Sequence, residues 1–289
     1  MNPIEKAVAQ AKLRIERARS RFGLVDIVLR VFKRFSEDDG GSYAAALTYY
    51  TFLSIFPLML FSVSIIGFLT SGNQELRNDL IARGVDSVPL LRDILKPAGL
   101  AFLEERKNAF ALTGLVLTLY SGSGAVVALE HALNKIEHLE DEPNWISKRL
   151  RSLKWLGLLG VVALISIVLG GGSTTGGPVR FFLGHAVGLV TGIVGFATAY
   201  KFLPGGDRPW RSVLPGAATA AIALEILKEV GTWYIQRGTQ SREATFGVFA
   251  LAAGLLVASF LLAQITLLAA EVNAVLAERR ISRQSLTPS

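Results

Sequence analysis

The feature that most constrains the fold of this chain is its set of long apolar runs, several of which exceed 20 residues. A helix needs about 20 mostly apolar residues to cross the hydrocarbon core of a bilayer. Only 18% of the residues are charged and 51% are hydrophobic, whereas a soluble domain carries about 25% charged residues. Backbone polar groups cannot reach water inside lipid, so such runs form helices. The sequence therefore predicts an all-α, polytopic membrane protein.

The apolar runs predict about six transmembrane helices with both chain ends in the cytoplasm. In this arrangement 20 Lys and Arg residues lie on the inside and 9 on the outside, the bias typical of cytoplasmic loops. The predicted spans are about 42–69, 109–133, 152–170, 181–203, 213–235 and 246–276. The remaining predicted parts are a basic amphipathic N-terminal segment at 1–41, an external amphipathic segment at 70–108 and a cytoplasmic tail at 277–289.

Composition and motifs argue against several classes of function. The net charge of +7 is explained by the basic cytoplasmic loops, and no binding motif accompanies it, so we expect no nucleic-acid partner. The chain has no cysteine, which excludes disulfides and thiolate metal sites. It also lacks the sequence signatures of hydrolases, metalloproteases and nucleotide-binding proteins. We therefore expect no catalytic activity, no cofactor and no metal.

The strongest candidate for a functional site is a charged group inside the fifth span. Glu225, Lys228 and Glu229 share one helical face, and Glu225 can pair with Lys228 three residues later. Ionisable residues within a span are costly and therefore point to function. The group could line a hydrated groove or relay. It could equally be a structural ion pair whose longer side chains reach the membrane surface.

Two other spans carry a polar stripe that could extend this candidate path. Tyr50, Ser54 and Pro57 share a face of the first span, where hydrogen bonding between helices is the favoured interpretation over cavity lining. Gln264 and Glu271 lie seven residues apart on the sixth span. Glu271 falls near the inner interface, and we expect it to pair with basic residues there.

Several further polar and small residues have a structural interpretation as their first choice. His185 is expected to be an interfacial or packing residue and not a proton carrier. Four polar groups at the end of the second span are expected to form an interfacial cap and not a metal site: Glu130, His131, Asn134 and His138. Small residues repeat every fourth position in two spans, which suits packing within the chain or a homodimer: Gly184, Gly188 and Gly192, then Ala250, Gly254 and Ala258.

Four stretches of the chain stand out by their order and spacing: AAALTYYTFLSIFPLML at 44–60, ALEHALNKIE at 128–137, YKFLPGGDRPWRSVLPGA at 200–217 and LLAAEVNAVL at 267–276. Together they resemble the YihY/BrkB family of bacterial inner-membrane proteins. The resemblance implies a six-span helical protein of the inner membrane, linked to serum resistance and to envelope lipid or lipopolysaccharide export. An old ribonuclease label is also attached to the family. No carboxylate cluster or histidine pair in this sequence supports that chemistry.

Two hypotheses for the function follow. The first is a transporter or exporter of an amphiphile, a lipid or a small solute, along a groove between spans one, five and six. The second is a membrane scaffold or envelope-integrity factor that transports nothing. Membrane lipids are the expected partners in both cases.

Overall fold

The computed structural model describes residues 23–69, 75, 107–139, 150–158, 177–205 and 208–284. Every regular element within these residues is a helix, which confirms the predicted all-α class. Residues 1–22 of the predicted N-terminal segment, most of the external segment and most of the third span lie outside the described residues. Five helices are labelled here: α1 (Gly23–Glu37), α2 (Gly40–Leu69), α3 (Lys107–Ile136), α4 (Gly177–Phe202) and α5 (Trp210–Gln284). A further helical segment covers residues 150–158.

Three stretches in the described residues are long and apolar enough to cross a membrane. They are Leu112–Ile136 in α3, Phe182–Phe202 in α4 and Ala252–Arg280 in α5, and they correspond to the predicted second, fourth and sixth spans. Each of them exposes large apolar side chains, such as Leu117, Val190 and Val257. Exposed apolar side chains on a helix that crosses a membrane are suited to contact with lipid tails. The total of six spans and the orientation of the chain stay predictions.

Helix α5 differs from the two separate helices predicted for the fifth and sixth spans. Its backbone is helical from Trp210 to Gln284, including the predicted connection at 236–245. The Gly216 amide nevertheless donates a hydrogen bond to Asn273 Oδ1 at 2.6 Å. A straight helix would separate these residues by about 86 Å, so the chain must reverse direction between them. We call residues 210–231 the first arm of α5 and residues 252–284 its second arm.

The helices pack in pairs through small residues. Helix α2 meets α3 where Gly124 faces the Tyr50 ring, and a Cβ on this glycine would lie 2.5 Å from that ring. Helix α4 meets the first arm of α5 where Gly192 faces Ala221. Small residues let two helices pack closely, and this packing holds the helices together in lipid, where no hydrophobic effect drives them into contact. The most deeply buried side chains collect at the end of the bundle where α3 and α4 stop and α5 begins, and include Leu133, Leu203, Val213 and Leu267.

Candidate functional site

Polar and charged side chains are concentrated at this same end of the bundle, which we call the basal end. Here α1 turns into α2, α3 and α4 end, and both arms of α5 meet. The topology therefore brings together side chains that lie far apart in the sequence. We call the resulting group the basal cluster: Asp26, Arg34, Asp38, Glu130, Glu137, Arg151, Arg208, Glu271, Glu278 and Arg279.

Arg34 is the centre of the basal cluster. Its Nε lies 3.2 Å from Glu271 Oε2, and another of its nitrogens forms an ion pair with Glu278. Its third nitrogen donates a hydrogen bond of 3.0 Å to the carbonyl oxygen of Ile136, one of the carbonyls that the end of a helix leaves without an internal partner. One guanidinium therefore ties α1 to the second arm of α5 and to the end of α3. The expected pairing of Glu271 with a basic residue is confirmed.

Two carboxylates of the basal cluster are almost completely buried. Glu271 is 0% exposed, and its Oε1 has no hydrogen-bond donor within the described part of the chain. Asp38 is also buried and lies near Glu271. Glu130 forms an ion pair with Arg151, and its second oxygen likewise lacks a donor among the described residues. Such groups depend on their cations, because a buried charge without a partner is very costly.

The end of α3 is closed by a Schellman motif that carries part of the cluster. His138 has a positive φ of 53°, and its amide donates to the Lys135 carbonyl oxygen at 3.0 Å. The Leu139 amide donates to the Asn134 carbonyl oxygen at 3.0 Å. These are the two hydrogen bonds that define the motif. The Asn134 side chain in turn accepts from the Gly205 amide at 3.0 Å, so α3 anchors the connection between α4 and α5.

The connection between α4 and α5 is also held by charge. Arg208 forms an ion pair with Glu137, and Lys201 donates to the carbonyl oxygen of Arg208. Partial burial lowers the pKa of the Arg208 guanidinium, but an arginine stays protonated in any case. The Lys201 ammonium also lies 5.4 Å from the centre of the Trp210 ring. Aromatic and basic side chains at the end of a span are typical of the membrane surface.

A second polar group lies far from the basal end, between α4 and the first arm of α5. We call it the His185 quartet: His185, Glu225, Lys228 and Glu229. His185 Nδ1 lies 3.1 Å from Glu225 Oε2, and His185 Nε2 lies 3.3 Å from Glu229 Oε1. Lys228 pairs with Glu225, as the sequence predicted. Glu225 lies 15 positions after Trp210, which places it about 22 Å from the start of the first arm.

The His185 quartet has a chemistry that depends on a proton. A neutral imidazole has only one N–H donor, whereas its cation has two. With both carboxylates ionised, the two contacts of His185 are therefore both hydrogen bonds only when each ring nitrogen carries a hydrogen. In that state the formal charges of the two carboxylates, the ammonium and the imidazolium add up to zero. Gly188 makes room for this arrangement, because a Cβ there would lie 2.6 Å from Glu225 Oε1.

The residues predicted to line one path lie in different surroundings in the structure. Glu225, Lys228 and Glu229 lie against α4, a helix that the predicted groove did not include. The Ser54 hydroxyl donates to the Thr51 carbonyl oxygen of its own helix. The Tyr50 ring packs edge-on against Tyr49 and over Gly124.

Three other predicted path residues lie elsewhere. Pro57 lies inside α2, which continues through it, and Gln264 is half-buried in the second arm of α5. Glu271 belongs to the basal cluster. A role for any of these residues in transport stays a prediction.

The small-residue faces also take different positions. Gly188 and Gly192 contact Glu225 and Ala221 within the chain, which is the packing interpretation made from the sequence. Gly254 and Ala258 are exposed on the second arm of α5, and no side chain lies within 4 Å of a Cβ on Gly254. The side chain of Ala250 is outside the described part of the structure. A homodimer through these faces stays a prediction.

Sequence reasoning did not find several residues that matter most here. It used Arg34 only as one of many basic residues in the N-terminal segment, and it gave Asp38 and Asn273 no role. It treated His185 as a packing residue, although the ring joins two carboxylates. The available signal for Asn273 was its place in the LLAAEVNAVL stretch at 267–276. Within the described residues no group of three or more His, Asp or Glu side chains has the arrangement of a metal site.

Comparison with known proteins adds the family. The family described as virulence factor BrkB matches residues 31–289, which include both the basal cluster residues from Arg34 onward and the His185 quartet. The chain belongs to the BrkB family. No solved structure matches it closely enough to compare.

Two of the three relatives of this BrkB-family chain described here are named as membrane proteins. A UPF0761 membrane protein of Chromohalobacter salexigens is 30% identical over 88% of this chain. The inner membrane protein YhjD of Escherichia coli is 23% identical over 84% of the chain and 78% of its own length. The ribonuclease-like protein YfkH of Bacillus subtilis is 22% identical over 86% of the chain and 94% of its own length. This chain spans only 65% of the Chromohalobacter protein. The BrkB-family chain is thus a protein of the bacterial inner membrane.

Proposed function

We propose that this BrkB-family protein moves an amphiphile, such as a lipid, or a small solute across the inner membrane, and that it contributes to envelope integrity in this way. The observation that carries the proposal is the His185 quartet. Four ionisable side chains lie together on two helices whose other exposed faces are apolar. Charged groups inside membrane spans, where the sequence predicts these four residues to lie, are costly and are found where a polar path or a proton relay needs them.

The proposed path runs along the seam between α4 and the first arm of α5. Glu225 is only 15% exposed and lies between His185 and Lys228, whereas Lys228 and Glu229 are 52% and 58% exposed. The quartet therefore has a buried side, which holds it in place, and an open side, which a headgroup or polar solute can reach. An amphiphile would place its polar part against the quartet and keep its tails in lipid. This arrangement suits a lipid-like molecule better than an ion.

The proposal is tested by removing the charges at the quartet and following bound lipid. The protein is extracted gently, and native mass spectrometry records the lipids that stay bound to it. We expect a specific amphiphile on the native chain, and we expect it to be lost in the Glu225→Gln, Lys228→Met double variant. The matched control is Lys33→Met with Glu37→Gln, which removes an exposed ion pair in α1. Identical bulk lipid on all three proteins would contradict the proposal.

A second assay measures movement directly. Liposomes that contain the protein and a fluorescent phosphatidylglycerol are treated with a quencher that cannot cross the membrane. We expect the native chain to make the inner-leaflet probe accessible faster than the double variant does. Equal rates for both, together with unchanged bound lipid, would favour the non-transporting scaffold instead.

We also propose that the protein is not an enzyme, although one relative is named ribonuclease-like. No metal-binding group supports such chemistry among the described residues. The purified protein should leave single-stranded RNA intact with and without Mg²⁺. Cleavage that follows the protein through successive columns would overturn this part of the proposal.

A further inference from the structure

Helix α1 carries an apolar stripe that no described residue covers. Leu24, Val28 and Phe32 are 78%, 52% and 58% exposed. They follow one another at intervals of four residues, so they lie on one side of the helix. Leu29 adds to the same exposed side. The stripe is therefore a continuous apolar surface about three turns long.

The opposite side of α1 is fixed to the bundle by charge. Asp26 forms an ion pair with Arg279 near the end of α5, and Arg34 pairs with Glu271 and Glu278. Val31, between them, is buried. These contacts lie at both ends of α1, so the helix cannot rotate about its axis to hide the stripe.

The turn between α1 and α2 fixes the direction of the stripe as well. Asp39 takes a positive φ of 56°, and the Asp38 amide donates to the Arg34 carbonyl oxygen at 2.7 Å. Gly40 begins α2 in contact with Phe35, where a Cβ would overlap the Phe35 ring and carbonyl oxygen. Helix α1 thus ends at Glu37, three residues before α2 begins and five residues before the predicted start of the first span at about residue 42.

The charge of the N-terminal residues indicates which kind of surface the apolar stripe contacts. Arg30 and Lys33 are 46% and 74% exposed, but each forms an ion pair within α1, with Asp26 and Glu37. The positive charge comes from the residues that precede α1, since residues 1–22 contain six Lys and Arg but two Glu. An apolar helix face next to a basic segment is suited to the interface of an anionic leaflet. A second protein copy would have to supply acidic groups to match this charge.

We propose that α1 is an interfacial helix whose Leu24, Val28 and Phe32 side chains insert into the adjacent leaflet, between the lipid headgroups and the acyl chains. Its polar side stays locked to the end of α5. The partner of this surface is the anionic lipid bilayer itself. Helix α1 would then connect the state of the membrane surface to the buried pair of Arg34 and Glu271. The inference does not depend on the proposed transport.

The absence of cysteine from the chain allows a direct test. Single variants Val28→Cys and Phe32→Cys are labelled with a nitroxide and placed in vesicles of phosphatidylethanolamine and phosphatidylglycerol. The power saturation of the label is measured with oxygen, which collects in lipid, and with a nickel chelate, which stays in water. The matched control is Lys33→Cys, on the polar side of the same helix.

We expect the labels at 28 and 32 to be accessible to oxygen and shielded from nickel, and the label at 33 to show the reverse. Access of nickel to 28 and 32 would place the stripe in water and overturn the inference. Labels at 28 and 32 shielded from both reagents would also overturn it, because a protein surface would then cover the stripe. Spin–spin broadening between labels would identify that surface as a second copy. A variant Leu24→Cys checks the result one turn away.

Discussion

The amide of Gly216 donates a hydrogen bond to the side chain of Asn273, although the two residues are 57 positions apart in a single helical element. Gly216 comes from the stretch at 200–217 that resembles the BrkB family, and Asn273 comes from the stretch at 267–276. The two stretches therefore form one contact. A Cβ on Gly216 would overlap the Ala269 carbonyl oxygen, so the backbones of the two arms of α5 touch here.

Replacing Gly216 is expected to separate these arms. In Gly216→Ala the added methyl meets backbone, which cannot move aside as the end of a side chain does. We expect a loss of about 1–3 kcal/mol in stability, the usual cost of overpacking, and a lower Tm in detergent. The control is Gly231→Ala in the same helix, where nothing lies within 4 Å of the new Cβ. That change should be neutral or stabilising by up to about 1 kcal/mol. Equal Tm values would show that the arms do not approach as described.

Removing the cation of the basal cluster is expected to be costly. Arg34→Met leaves Glu271 buried without its partner, and breaking a buried pair in this way costs about 3–5 kcal/mol. The double variant Arg34→Met, Glu271→Gln should recover part of this loss, because the unpaired charge is gone. Thermal unfolding in detergent measures both. Lys33→Met, which breaks an exposed pair with Glu37, should cost at most about 1 kcal/mol. Additive effects of the two basal changes would argue against the pair.

Gly188→Ala is expected to change the His185 quartet without unfolding the protein. The new Cβ would lie 2.6 Å from Glu225 Oε1 and 3.4 Å from Lys228 Nζ. Both atoms are at the ends of flexible side chains and can move. Tm should therefore stay close to that of the native chain, while bound amphiphile is lost in native mass spectrometry. Gly254→Ala is the control, since its Cβ meets nothing within 4 Å. Full retention of the amphiphile by Gly188→Ala would argue against a binding role for the quartet.

The hydroxyl of Tyr200 is expected to stabilise the contact between α4 and the second arm of α5. It is buried and donates to the Thr266 carbonyl oxygen at 2.7 Å. Tyr200→Phe should lower stability by about 0.5–1.5 kcal/mol, the usual net value of one hydrogen bond. Tyr49→Phe, at an exposed tyrosine, should have little effect on Tm. A Tyr200→Phe protein as stable as the native one would show that this bond contributes nothing measurable.

What the sequence determined by itself was the class of protein and much of its local structure. The apolar runs at 109–133 and 181–203 agree with α3 and α4 to within a few residues, because a chain in lipid must satisfy its backbone polar groups within each segment. The pairing of Glu225 with Lys228 was predictable for a similar reason, since three residues of helix bring the two side chains together.

What only the tertiary structure decided was which faces of the helices meet. Arg34 and Glu271 are 237 positions apart, and no helical period relates them. His185 joins Glu225 and Glu229 because α4 packs on α5 with Gly188 at the contact, and the sequence did not predict this contact. The spacing of residues along the chain determines which side chains share a face of one helix. The choice of neighbour depends on the close fit of small residues and on the pairing of buried charges, and both are properties of two helices together.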